Sequence, residues 1–151
     1  MTHLPIRYGL PVLALFAAAS AIAGNPAATT TNTLTLTVEG VRSDEGQLRA
    51  QLLARKGPDA AAETVGYAVE PARTGQVILT FRNLPAGDYA VQLFHDENDN
   101  GRVEMNLAGI PTEGFGFSNV TQVQGGIPPF EKMKVTVTGR TTAIAVLAYA
   151  P

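Results

Sequence analysis

The 151-residue sequence contains no cysteine, which excludes disulfides, thiolate catalysis and thiolate metal sites. Beyond the N-terminal segment it contains one histidine, His95, so a zinc catalytic site is not expected. The formal net charge of −2 gives no basic footprint for nucleic acid. After residue 23 there is no second long hydrophobic run, so we expect no membrane span.

The N-terminal residues 1–23 have the pattern of a signal peptide. Arg7 supplies the positive charge, residues 10–19 are mostly apolar, and residues 21–23 give the small-x-small cleavage pattern. The apolar run is shorter than the roughly 20 residues that span a bilayer. We expect an exported protein, periplasmic or secreted, whose mature chain begins at Gly24; a buried first helix is the alternative.

The rest of the chain predicts β-structure. Residues 24–33 are small and polar, which indicates a flexible spacer. Apolar and polar residues then alternate with the period of strands in five runs: 34–38, 47–53, 77–81, 89–95 and 133–137. We predict an all-β domain over residues 34–151, a single antiparallel β-sandwich of about seven strands, as in the immunoglobulin-like fold. A small closed barrel is the competing architecture. The first two runs predict a hairpin, and the apolar residues 143–149 predict a strand covered on both faces.

Residues 96–129 break the alternation and predict a long loop. Loops beyond about 12–15 residues are uncommon in compact domains and are usually functional or disordered. Apolar residues such as Met105 and Ile110 would be costly to leave in water, which favours an ordered loop folded over an end of the sandwich.

The start of this loop resembles a calcium-binding loop, because side-chain oxygens recur at alternate positions. We predict the calcium ligands to be Asp96, Asn98, Asn100, Arg102 through its carbonyl oxygen, and Glu104. Leu107 stands where an EF-hand has a bidentate glutamate, so the site must be completed from elsewhere, with Glu113 the nearest candidate. The alternative is a polar turn in which Asp and Asn accept hydrogen bonds from their own backbone amides. No other cofactor is expected.

Four residues near the end of the loop are candidates for ligand binding: Phe115, Phe117, Ser118 and Asn119. The two phenylalanines, spaced two apart among glycines, can stack on a sugar or an apolar ligand. The alternative interpretation is that they anchor the loop into the core.

An enzymatic alternative uses His95 as acid or base, with Asp96 or Glu113 orienting it and Ser118 as a possible nucleophile. No nucleophile elbow occurs, and a histidine at the inner face of a strand end is often a packed, hydrogen-bonded residue. We therefore assign no catalytic residue, and His95 and Glu113 remain the candidates.

Three motifs resemble those of a known bacterial family. They are LPAGDY at residues 84–89, HDENDNG at 95–101 and GIPTEGFGFSN at 109–119. The family, domain of unknown function 2141, has the patterns LP-x-G-x-Y, HD-x-N-x-N-G and GIP-x-EG-x-G-x-SN. The resemblance implies a small exported β-sandwich protein, similar in its strand pattern to prealbumin-like modules, and supplies no catalytic residue. Relatives often carry aspartate at the position of Glu104.

These observations favour a monomeric binding or structural module of the cell envelope, whose recognition surface for an unknown ligand or protein is the segment 96–119. Two alternatives stay open. One is a periplasmic hydrolase or isomerase that uses His95. The other is a protein interaction module that presents an edge strand to its partner.

Overall fold

The computed structural model describes residues 31–123 and 126–150, which form eight strands and one four-residue helix. In chain order the elements are β1 (Asn32–Val41), β2 (Gln47–Ala54), β3 (Glu63–Pro71), β4 (Gly75–Leu84), β5 (Gly87–Asp96), β6 (Phe115–Phe117), α1 (Phe130–Met133), β7 (Val135–Val137) and β8 (Arg140–Val146). The predicted signal peptide and residues 24–30 of the predicted spacer lie outside the described residues. The spacer does not extend to residue 33, because β1 begins at Asn32, whose side chain donates to the Leu84 carbonyl over 2.9 Å.

The strands form two sheets rather than a closed barrel. The three-stranded sheet has the order β4-β1-β8, and the five-stranded sheet has the order β3-β2-β5-β6, with β7 also paired to β5. Strand β5 therefore carries β2 along one edge, and β6 and β7 along the other. All pairs are antiparallel except β1 with β8, which is parallel.

One hydrophobic cluster lies between the sheets, because alternate side chains of each strand point inward. In β1 these are Leu34, Leu36 and Val38, all fully buried. Leu48 and Leu52 of β2 join the same cluster from the other sheet. The alternation in the sequence thus identified the inward positions. No helix in the described residues is long and apolar enough to cross a membrane.

Two details of the strand predictions are wrong. The runs 34–38 and 47–53 do not form a hairpin, because β1 and β2 belong to different sheets. The last strand is not covered on both faces, since β8 lies at the edge of its sheet and alternates, with Ala145 buried and Ile144 48% exposed.

The outer face of the five-stranded sheet carries the features that matter for function. Its register aligns Arg49, Phe94 and Phe115 in one row across β2, β5 and β6. Gln51 and Gln92 lie opposite each other in the neighbouring row. At one end of this face α1 packs over a second apolar cluster of buried residues: Leu53, Ala90, Phe117, Phe130 and Met133.

Candidate functional site

Asp96, the last residue of β5, organises the turn that follows it. Its side chain is fully buried, and one carboxylate oxygen, Oδ2, accepts hydrogen bonds from Nε of Arg49 over 2.5 Å and from the Gly101 amide over 2.9 Å. The other, Oδ1, accepts from the Asn100 amide over 3.0 Å. A buried carboxylate needs such partners, and here a guanidinium and two backbone amides provide them.

The other predicted calcium ligands lie in the same exposed turn. Asn98 Oδ1 accepts from the Asn100 amide over 3.1 Å, and Asn100 Oδ1 accepts from the Arg102 amide over 2.8 Å. The Asn100 side-chain amide also donates to Glu104 over 2.9 Å. The hydrogen bonds from backbone amides are those expected for a polar turn, the alternative to a calcium site. Among the described residues no group of three histidine, cysteine, aspartate or glutamate side chains is placed to hold a metal ion. Calcium binding therefore stays a prediction.

Glu113, which the sequence offered as the residue completing the site, does lie against this turn. It is 4% exposed, and its Oε1 accepts a hydrogen bond from the Glu97 amide over 3.1 Å. Its second oxygen, Oε2, is buried without a hydrogen-bond partner. Burial raises the pKa of Glu113, and the nearby carboxylates of Asp96 and Glu104 act in the same direction. Among the described residues, Oε2 of this carboxyl group thus lacks a partner, which a proton or a cation can supply.

His95 is packed inside the domain. It is fully buried, with Nδ1 2.9 Å from the Tyr149 hydroxyl and Nε2 2.7 Å from the Glu45 carbonyl oxygen. The nearest carboxylate atom to its ring is Oε1 of Glu97, 3.9 Å from Nδ1. A substrate cannot reach a fully buried ring whose two nitrogens already have partners, so the geometry favours the structural alternative over acid–base catalysis.

The side chains of Ser118 and Asn119 form hydrogen bonds with backbone groups, and ligand binding by these two residues stays a prediction. The buried Ser118 hydroxyl donates to the Met133 carbonyl over 2.5 Å and accepts from the Val91 amide over 2.9 Å. Asn119 has a positive φ of 60°, and its side chain donates to the Lys134 carbonyl over 2.8 Å. Both residues thus join the end of β6 to the segment around α1, and among the described residues no basic side chain is hydrogen-bonded to the Ser118 hydroxyl.

Phe115 and Phe117 line a groove, and Phe117 is also buried in the cluster beneath α1. The groove has a volume of about 620 Å³, within the roughly 300–1,000 Å³ typical of ligand sites. It runs along the outer face of the five-stranded sheet. Its floor is formed by Arg49, Gln51, Gln92, Phe94, Phe115 and Phe117.

The groove is covered by a segment that we call the arm, residues 103–112. The arm is internally hydrogen-bonded: the Thr112 amide donates to the Glu104 carbonyl and the Asn106 amide to the Ile110 carbonyl, each over 2.9 Å. Met105 and Ile110 line the groove yet remain 56% and 47% exposed. The arm therefore lies over the sheet face without closing onto it. The predicted long loop 96–129 is interrupted by β6 (Phe115–Phe117), and its position over an end of the sandwich stays a prediction.

Sequence reasoning named Phe115 and Phe117 but missed the rest of the floor of this groove: Arg49, Gln51, Gln92 and Phe94. The one signal was Phe94, an aromatic residue at an outward position of β5, where the alternation otherwise gives Gln92. Nothing in the strand pattern says that a distant loop covers that face.

Neither the curated proteins nor the solved structures gave a match. The family model of uncharacterized proteins conserved in bacteria, domain of unknown function 2141 (DUF2141), matches residues 36–145. This range contains all of β2 to β7, the Asp96 turn, the arm and the floor of the groove. The chain therefore belongs to the DUF2141 family.

Proposed function

We propose that this protein is a binding module of the bacterial cell envelope, and that the groove takes an apolar small molecule. The observation that carries the proposal is the groove itself, with aromatic side chains in its floor and exposed aliphatic side chains in its cover. Export is supported by the signal-peptide pattern of residues 1–23. The shared core of the two sheets supports a sandwich of the prealbumin-like or immunoglobulin-like kind.

The arm leaves three of the apolar residues that line the groove exposed to water. Val103, Met105 and Ile110 are each more than a third exposed, although all three point towards one groove. Covering apolar surface contributes about 25 cal/mol per Å². A ligand between the arm and Phe94 would bury these side chains without a change in the sheet, so the groove is suited to an apolar ligand.

Fluorescence titration of the purified protein with the neutral apolar probe N-phenyl-1-naphthylamine tests this proposal. We expect saturable binding that Ile110→Glu weakens by about tenfold or more, because a charge would then face the apolar probe. Ile144→Glu is the matched control, since Ile144 is 48% exposed on the outer face of the other sheet and Ile110 is 47% exposed. No saturable binding, or an equal loss in both variants, would reject the proposal.

The edge strand β3 supports a second candidate function, pairing with a strand of another protein molecule. Val65, Tyr67 and Val69 are exposed along it, Tyr67 by 72%. Exposed apolar edge strands favour association. Sedimentation velocity at several concentrations would detect self-association through this edge. Association that Tyr67→Lys abolishes would support the function, whereas a monomer at every concentration would exclude pairing between copies.

A further inference from the structure

We propose that Arg49 determines the class of ligand: an amphiphile whose anionic, oxygen-bearing head group binds Arg49 and whose apolar body lies under the arm. This inference rests on the proposed function of the groove. Arg49 is the only charged side chain among the described residues that line the groove. Its side chain is 32% exposed, so the guanidinium can contact a bound molecule.

The guanidinium is held in place from behind. Its Nε donates to Asp96, which is fully buried and does not line the groove. Both Asp96 oxygens also accept backbone amides, so the carboxylate is not free to turn towards a ligand. The two terminal nitrogens of Arg49, Nη1 and Nη2, have no hydrogen bond to any described residue. A fixed guanidinium with free N–H groups suits a carboxylate, which it can bind in a bidentate manner.

The polar residues next to Arg49 carry no negative charge, and their side chains can donate hydrogen bonds. Gln51 and Gln92 face each other across β2 and β5, one row from Arg49, and neither side chain has a hydrogen bond to a described residue. Each carboxamide carries two N–H donors. No carboxylate lines the groove among the described residues, so nothing there compensates a cationic head group. Charge complementarity therefore selects an anion.

The pairing of β2, β5 and β6 indicates where the apolar part of the ligand would lie. From Arg49 the row continues through Phe94 to Phe115, two strand spacings or about 10 Å. Met105 and Ile110 line the same groove from the arm. A medium-length acyl chain with a carboxylate at Arg49 would thus lie on two aromatic rings beneath the arm.

Displacement of N-phenyl-1-naphthylamine by decanoate, decanol and decylamine, each in monomeric form, tests the inference. We expect decanoate to bind at least about tenfold more tightly than decanol, as a charge-assisted hydrogen bond would provide, and decylamine to bind most weakly. Arg49→Gln should remove the preference for decanoate. That substitution also removes a partner of Asp96, so a second variant that keeps the Arg49–Asp96 pair is needed. Gln92→Glu leaves the pair intact and adds a negative charge to the floor.

Gln92→Glu should weaken decanoate by a larger factor than decanol, because the added negative charge repels only the anionic head group, while Gln76→Glu, on β4 of the other sheet, should change neither. Equal affinities for decanoate and decanol in the unmodified protein would overturn the role of Arg49 but keep the apolar groove. An equal loss of all three compounds in Gln92→Glu would also overturn it, as a structural effect. If no compound displaces the probe, or if the probe itself does not bind, the proposed function fails.

Discussion

Nε of Arg49 donates a hydrogen bond to Oδ2 of Asp96 over 2.5 Å, and this pair joins the floor of the groove to the root of the arm. Arg49 lines the groove from β2, whereas Asp96 ends β5 and accepts the amides of Asn100 and Gly101. One carboxylate thus fixes both the charged end of the groove and the turn that leads into its cover. Stability and binding are expected to depend on the same residue.

Asp96→Ala should destabilise the protein by about 2–4 kcal/mol, because it removes a buried acceptor of three hydrogen bonds and leaves a partly buried guanidinium unpaired. Denaturant unfolding measures this free energy. Asn98→Ala is the control in the same turn: Asn98 is exposed and accepts one backbone amide, so its loss should cost about 1 kcal/mol or less. Equal costs for the two variants would contradict the central role of Asp96.

Gly46 marks a close approach of the β1–β2 loop to the end of β5. A Cβ at Gly46 would lie 1.8 Å from the Asp96 carbonyl oxygen, and its φ is +65°. We therefore expect Gly46→Ala to lower the free energy of unfolding by more than about 3 kcal/mol, since backbone atoms must move. Gly75→Ala is the matched control, because Gly75 also has a positive φ, +95°, but nothing lies within 4 Å of its Cβ position. It should cost only about 1–2 kcal/mol. Similar losses in both variants would show that strain in φ, and not the contact, dominates.

The sequence predicted which residues face the core better than it predicted how strands pair. Leu34, Leu36 and Val38 alternate with threonines, and alternation depends only on the position of each residue along its own strand. It does not say which sheet a strand joins. The short connection between β1 and β2 suggested a hairpin, yet it carries the chain from one sheet to the other.

The sequence predicted only the local part of the candidate site. Asp96 and its neighbours were recognisable because the turn is local in sequence. Its side chains accept hydrogen bonds from backbone amides that are at most five positions away. The partner of Asp96 is Arg49, 47 positions away, and local patterns do not contain that information. The arm was expected to bury its apolar residues, but Ile110 stays half exposed above Phe94.

The pH dependence of stability should include a contribution from Asp44. Its Oδ1 accepts hydrogen bonds from the Thr74 amide and hydroxyl over 2.6 and 2.7 Å, and these lower the pKa of Asp44. A carboxyl group with a lowered folded pKa stabilises the protein above its unfolded pKa of about 3.9, and this contribution is lost as the pH falls through the folded value. Asp44→Asn should therefore lower Tm at pH 7, and the difference from the unmodified protein should shrink below pH 4.

Thermal melts of both proteins between pH 2 and pH 7 measure that difference. Asp59→Asn is the control, since Asp59 is exposed and has no hydrogen bond from its side chain to a described residue. A difference between Asp44→Asn and the unmodified protein that does not change with pH would contradict the assignment.

The calcium prediction is tested by thermal melts in chelator and across a calcium series. The buried oxygen Oε2 of Glu113 has no hydrogen-bond partner, and Asp96 and Glu104 lie near enough to raise its pKa. If calcium binds to Glu113 and the carboxylates beside it, Tm should rise with the calcium concentration. Binding at a hundredfold excess over Kd stabilises the folded state by about 2.7 kcal/mol. Glu113→Gln should remove most of the rise. Asp59→Asn should retain it. A Tm that is the same in calcium and in chelator would contradict the calcium prediction and leave the backbone amides and Arg49 as the partners of Asp96 in the turn.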